Sequence, residues 1–392
     1  MIDYNKIIQK YDTPLFVYDI SKLEERVNYL KSKFNKEYNM VYAVKANTFV
    51  IKEIDPLVER FEICSPGEFE ICEKLKISRN KMVISGVNKD KIFIENLISN
   101  YDDILKYTIE SYNQFLLLDE LSNKFNKKIH VLIRLSSGNQ FGVSEEDFIK
   151  IIGENKNLII DGIEYFSGTQ KHSLKIIEKE LDHLKEFINN IELNYNIKIE
   201  EVEYGPGLPV FYFQDNEFDE DTYLDELNKI IGKFNEKVVS LEIGRSMVAS
   251  CGSYLTKVVD LKENKNGNFV ILDGGINHLV YYGQTMAMKI PFYEIIPKRE
   301  VEEVTYNLCG SLCTTNDYLV KNIKINKLML NDVFVFKNTG AYSSTEGIAL
   351  FLSRDLPKII LVKDEKEVVV RDNNKTSLIN YPNYDMEEVW KD

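Results

Sequence analysis

Apolar positions in the first two thirds of the chain follow two alternating rhythms. Short β-branched or aromatic runs read as strands at Met40–Val44, Phe61–Cys64, Met82–Ser85, Tyr107–Ile109, Ile129–Leu135, Gly162–Phe166, Glu201–Tyr204 and Val239–Ile243. Longer segments between them carry helical spacing, clearest in Leu174, Ile177, Leu181, Leu184 and Ile188, a 3-4-3-4 stripe. Strand–helix alternation implies parallel pairing through helical crossovers, and eight such units predict a closed (β/α)8 barrel of the α/β class. After Tyr254 the long helical segments stop. Strands are expected at Tyr254–Leu261, Phe269–Leu272, Val304–Leu308, Val333–Phe336, Lys358–Val362 and Val368–Val370, which reads as a C-terminal β domain. The strand-like segment Thr13–Asp19 precedes the barrel and could pair with that later sheet. The expected division is therefore residues 22–253 for the barrel, with residues 1–21 and 254–392 forming the β domain. No internal repeat or low-complexity tract interrupts either part, and the acidic segment Asp215–Glu220 reads as a solvated connection.

Composition narrows the possible functions. A length of 392 residues calls for two domains. The 44% apolar and 28% charged content is that of a globular enzyme. A net charge of −13 argues against nucleic acid as a partner, because no basic stripe exists to neutralise phosphates. Five cysteines without a C-x-x-C pair and four scattered histidines give no zinc site or disulfide framework. No metal is expected. The N-terminus shows no signal-peptide core, and no apolar run is long enough for a membrane span. Cytoplasm is the expected location.

Chemistry in such a barrel belongs at the C-terminal ends of the strands. The first strand ends in Tyr42-Ala-Val-Lys45-Ala-Asn47. Burial there would favour imine chemistry at the lysine, although in isolation a strand-end surface lysine is the commoner case. Ser65, after the second strand, is placed to cap a helix. Phe166-Ser-Gly-Thr-Gln170 and Tyr204-Gly-Pro-Gly207 are small-residue turns; they could present backbone N–H groups to a phosphate or simply end strands. Glu242-Ile-Gly-Arg245 offers a carboxylate and a guanidinium, or a salt bridge.

Taken in order, these segments resemble the diaminopimelate/ornithine decarboxylase family of pyridoxal 5′-phosphate (PLP) enzymes, whose fold is alanine-racemase-like (fold type III). Downstream, Cys309-Gly-Ser-Leu-Cys313-Thr-Thr-Asn-Asp317 is similar to the family's catalytic-cysteine motif, and Asn338-Thr-Gly-Ala-Tyr342 to its phosphate-binding tyrosine motif. The likeness runs from about Thr13 to about Val362. It implies a homodimer with PLP at the barrel mouth and active sites shared between subunits. Lys45 would carry the cofactor and Glu242 would face its ring nitrogen. Gly205, Gly207, Thr169, Arg245 and Tyr342 would hold the phosphate, with Arg245 forking onto it. Phe166 would lie against the ring. Cys313, from the partner subunit, would return a proton to the α carbon after CO₂ leaves, although a buried core thiol is the commoner fate of a cysteine.

Three positions depart from the family pattern. Thr314 follows Cys313 where enzymes for diamino substrates usually carry an acid, and a neutral hydroxyl cannot compensate a desolvated ammonium. Asp317 is the remaining nearby acid, so Thr314 and Asp317 are the candidate substrate-binding residues. Phe166 stands where a histidine is usual, keeping stacking surface without a polar handle. No arginine occurs between Arg245 and Arg299, where diaminopimelate enzymes tend to place a carboxylate reader. In these features the chain resembles the glutamyl-carrier-protein decarboxylase of butirosin assembly. The expectation is a substrate with an uncharged distal end, free or tethered to an aminoacyl carrier protein. The alternatives are diaminopimelate decarboxylation, racemisation on the same fold, and an inactive partner-binding homologue. Retention of both Lys45 and Cys313 weighs against the last.

Overall fold

A computed structural model describes residues 2–214 and 218–382, so part of the acidic connection at 215–220 lies outside the described residues. The chain divides into two compact units. One comprises Leu23–Val210 and Glu217–Val248, the other Met1–Lys22, Phe211–Asn216 and Ala249–Asp392.

The first unit is a closed barrel of eight parallel strands. They are β2 (Asn39–Ala43), β3 (Arg60–Ile63), β4 (Met82–Ile84), β5 (Lys106–Ile109), β6 (Ile129–Arg134), β7 (Leu158–Phe166), β8 (Glu201–Gly205) and β9 (Val238–Ile243), after a strand β1 (Leu15–Asp19) that belongs to the other unit. Closure falls between β2 and β9, with Val41 opposite Glu242. The helix Leu174–Tyr195 buries Ile177, Leu181, Leu184, Phe187, Ile188 and Ile191; of the stripe anticipated from spacing, Leu174 is only half-buried, and Phe187 and Ile191 are added. Each such side chain contributes roughly 1.5–3 kcal/mol when fully removed from water. After β3, Ser65 caps the helix Pro66–Lys74 by accepting from the Glu68 N–H at 3.2 Å, and Pro66 occupies the first turn, where its missing N–H costs nothing.

The second unit is built on a nine-stranded sheet. Its later strands are β10 (Gly252–Asn264), β11 (Gly267–Leu272), β12 (Tyr293–Ile296), β13 (Glu303–Cys309), β14 (Tyr318–Asn326), β15 (Val333–Lys337), β16 (Lys358–Lys363) and β17 (Lys366–Arg371). Along the main path the order is β14-β13-β11-β10-β1-β16-β17, while β12 and β15 pair with each other and β15 also with β10. β1 is an interior strand, antiparallel to β10 and parallel to β16. Its Leu15 and Val17 pack with Leu255, Val335, Ile360 and Val362 in one buried cluster. The pairing anticipated for Thr13–Asp19 is present. No helix of the described residues is long and apolar enough to cross a membrane.

Candidate active site

Lys45 lies in a single 3₁₀ turn directly after β2, so its side chain emerges at the C-terminal mouth of the barrel. Its Nζ donates to Glu62 Oε2 on β3 at 2.7 Å and to Glu242 Oε1 on β9 at 3.2 Å. Glu62 and Glu242 are both buried. Glu164 on β7 joins them, and carboxylate oxygens of the three lie within 4.8 Å of one another. Like charges this close raise the cost of ionising all of them. Burial pushes the Glu62 carboxyl up, but the Lys45 ammonium, a hydrogen bond with Glu242 and the Arg134 guanidinium together hold it well below the usual carboxylate range. Burial and then the Glu62 charge push Glu242 far above that range. Burial also lifts Glu164 to about 7, against the pull of Arg134. The shared Lys45 ammonium and mutual burial thus push the two carboxyls in opposite directions, Glu62 down and Glu242 up. Arg134 donates to Glu110 at 3.1 Å and lies 3.4 Å from Glu164.

The two small-residue turns pack backbone to backbone beside this cluster. Gly207 has φ +59°, and a Cβ there would run into the carbonyl oxygen of Gly168. A Cβ on Gly205 would collide with the Phe166 ring. Only glycine satisfies both positions. Gln170 locks the turn: its side chain donates to Val210 O at 2.8 Å and accepts from Val210 N at 2.6 Å. Thr169 lies in the same turn, half-buried. Phe166 ends β7, with the Arg134 guanidinium 5.8 Å from its ring centroid. Arg245 opens the short helix Arg245–Val248 just past the end of β9.

The remaining candidates belong to the sheet unit. Tyr342 sits at φ +62° in a turn anchored to the start of β10, where Thr339 N donates to Gly252 O at 3.0 Å. Cys313 is exposed in the loop between β13 and β14. Cys309 ends β13 half-buried, its thiol pushed up to about 11 by burial. Thr314 Oγ1 accepts from Asn316 N at 3.4 Å. Asp317 departs from the expectation of a substrate-binding acid. It is only 3% exposed, and both its oxygens accept backbone N–H groups, from Ile276 at 3.0 Å and Leu312 at 2.7 Å. Its oxygens are committed to backbone amides of its own loop and of the turn at Ile276.

Lys45 and Glu242 therefore meet, as do Phe166, Gly205 and Gly207. Glu62, Glu164, Arg134 and Gln170 were missed from the sequence. The available signal was a charged residue at alternate positions of an otherwise apolar strand, as in Arg60-Phe-Glu62-Ile.

An amine among buried carboxylates, an aromatic face and a glycine cradle that any Cβ would fill define a barrel site of the PLP-dependent class. The donor set fits that cofactor: a lysine for covalent attachment, an acid for its ring nitrogen and close-packed backbone for its phosphate. A model of the pyridoxal-dependent decarboxylase family (C-terminal sheet domain) matches residues 15–340, and the chain belongs to this family. Diaminopimelate decarboxylase of Campylobacter jejuni is 27% identical over 87% of this chain and 89% of its own. The L-glutamyl-[BtrI acyl-carrier protein] decarboxylase of Niallia circulans is 26% identical over 93% of this chain and 92% of its own. Among solved structures, diaminopimelate decarboxylase from M. jannaschii in complex with L-lysine shares the fold, with a TM-score of 0.85 at 22% identity over 96% of this chain and 93% of that one. The chain is a PLP-dependent amino-acid decarboxylase, a carboxy-lyase.

Proposed function

We propose that this enzyme decarboxylates free diaminopimelate. The observation that carries the reading is the near full-length similarity to the Campylobacter enzyme of that name, with further similarly named relatives at 24–26% identity. PLP, when bound, supplies an electron sink for the pair left behind as the Cα–carboxylate bond breaks. Lys45 would hold it covalently through Nζ. Glu242 would pair with its ring nitrogen and so support the ring as an electron acceptor. Gly205, Gly207, Thr169, Arg245 and Tyr342 would hold the phosphate, and Phe166 would offer stacking surface to the ring. Cys313, contributed by the partner subunit of a homodimer, returns the proton to Cα.

A second reading has its own support. Thr314 supplies no charge for a distal ammonium, and no arginine lies between Arg245 and Arg299 to read a distal carboxylate. The Niallia relative, whose name specifies a carrier-bound glutamyl group, is similar over nearly its whole length. Such a substrate has a neutral thioester at its distal end. Comparing CO₂ release from free diaminopimelate, lysine, ornithine and arginine with release from a carrier-bound glutamyl thioester decides between the two. Efficient turnover of free diaminopimelate is the expected result; turnover confined to the tethered thioester overturns it.

A further inference from the structure

The loop that carries Cys313 has an unusual internal support. It leaves β13 at Cys309 and returns to β14 at Tyr318, and its two ends are tied by Gly310 N donating to Asp317 O at 3.0 Å. Inside the loop, Asp317 N donates to Thr314 O at 3.3 Å. The Asp317 carboxylate then reaches in two directions. One oxygen accepts from Leu312 N, the residue before Cys313, at 2.7 Å. The other accepts from Ile276 N at 3.0 Å, in the turn that follows β11. The seat is fitted closely to the carboxylate: a Cβ on either Gly275 or Gly310 would collide with the Asp317 oxygens. A buried carboxylate receiving two N–H groups makes charge-assisted bonds, roughly twice as strong as neutral ones. No lysine or arginine ion pair with Asp317 occurs among the described residues, so these amides carry the compensation.

We infer that Asp317 is a positioning residue for Cys313. It fixes the loop from within and pins it to the Gly275–Ile276 turn, so the Cys313 thiol is presented from a rigid frame although the side chain itself is exposed. The inference rests on the reading of Cys313 as the proton donor. A donor must be held at hydrogen-bond reach of the carbon it protonates, and a displacement of about 1 Å costs on the order of a hundredfold in rate. Loss of the clamp therefore affects the step after CO₂ release, while cofactor and substrate still bind.

Asp317→Asn tests this in the holoenzyme. The carboxamide keeps the shape but turns a donor toward one of the two N–H groups, breaking that bond. Expected results are unchanged PLP content, a KM within about threefold of wild type, and kcat lowered about tenfold to a hundredfold. More turnovers should end with the proton on the wrong carbon, read as carbonyl product and loss of cofactor absorbance. Amide exchange at whichever of Leu312 and Ile276 loses its acceptor should accelerate about tenfold or more, and alkylation of Cys313 by iodoacetamide should change in rate. Wild-type exchange, alkylation and product fidelity in Asp317→Asn would overturn the positioning role. If Cys313→Ala keeps wild-type kcat and fidelity, the proton-donor reading fails instead, while the exchange data still report the clamp. Should the Asn variant not fold, exchange in the wild-type enzyme decides: Leu312 and Ile276 must exchange far more slowly than Cys313, Thr314 and Thr315, and equal rates defeat the proposal.

Discussion

At the scale of single residues, the site is an arrangement of too many carboxylates for the cations available. Glu62 and Glu164 respond to this crowding in opposite directions, and the consequences for stability have opposite signs. The folded pKa of Glu62 is depressed, so its contribution is present above the ordinary value of 4.5 and is lost as pH falls through the lower folded value. Glu164 titrates near 7 in the folded protein against an ordinary 4.5, so its contribution is full below 4.5 and is lost as pH rises through about 7. Glu164→Gln, permanently neutral, should flatten the fall in stability across that window by about 3 kcal/mol. Arg134 keeps Glu110 as a partner in the variant. Thermal melts at a series of pH values read the difference, and a variant curve parallel to wild type would show that Glu164 does not titrate there. Lys45 has a simpler test. Borohydride reduction followed by peptide mapping should place the cofactor on Lys45, and a label on any other lysine would displace it from the site.

At the scale of elements, the glycine cradle is the feature most sensitive to a single methyl group. Gly207→Ala must relieve both a positive φ and a clash with the Gly168 carbonyl, a combination that costs on the order of 1–3 kcal/mol. PLP affinity of the variant should fall about tenfold or more in a cofactor titration, whereas alanine at Gly153, with open space around its Cβ position, should leave it unchanged. The eight barrel strands were legible because short segments rich in β-branched or aromatic residues alternate with longer segments of helical spacing. In the sheet unit, β12 and β14 were not. β12 is four residues long and stops at Pro297, too short to show alternation. β14 alternates, but Asn322 takes φ +53° and its pairing with β13 slips, so the period-2 signal breaks midway. The candidate site shows the same division. Lys45, Glu242 and the glycine turns stood out by their position at strand ends. Asp317 did not reveal its role, because an acid beside a catalytic motif reads as a substrate contact until its two backbone donors are seen.

At the scale of the molecule, the proposed sharing of active sites between subunits predicts complementation. Lys45→Ala and Cys313→Ala subunits, each inactive alone, should regain activity when dissociated and mixed, since a heterodimer contains one site with both groups intact. Continued inactivity after demonstrated subunit exchange would place the two groups in one chain. The sheet unit also carries a consequence for how the protein is made. β1 sits between β10 and β16, and its parallel partner Lys358–Lys363 is encoded about 340 residues later. At translation speeds of about 5–20 residues per second, β1 emerges from the ribosome roughly 20–70 s before that partner exists. Until its other partner β10 is made, after the last barrel strand, its Leu-Phe-Val-Tyr run has neither neighbour of the finished sheet to cover it. Ribosome-stalled chains ending near residue 250 should therefore resist protease from Leu23 onward yet be cut within Leu15–Asp19. A stalled chain protected at both places would mean that β1 finds a temporary shelter on the nascent barrel.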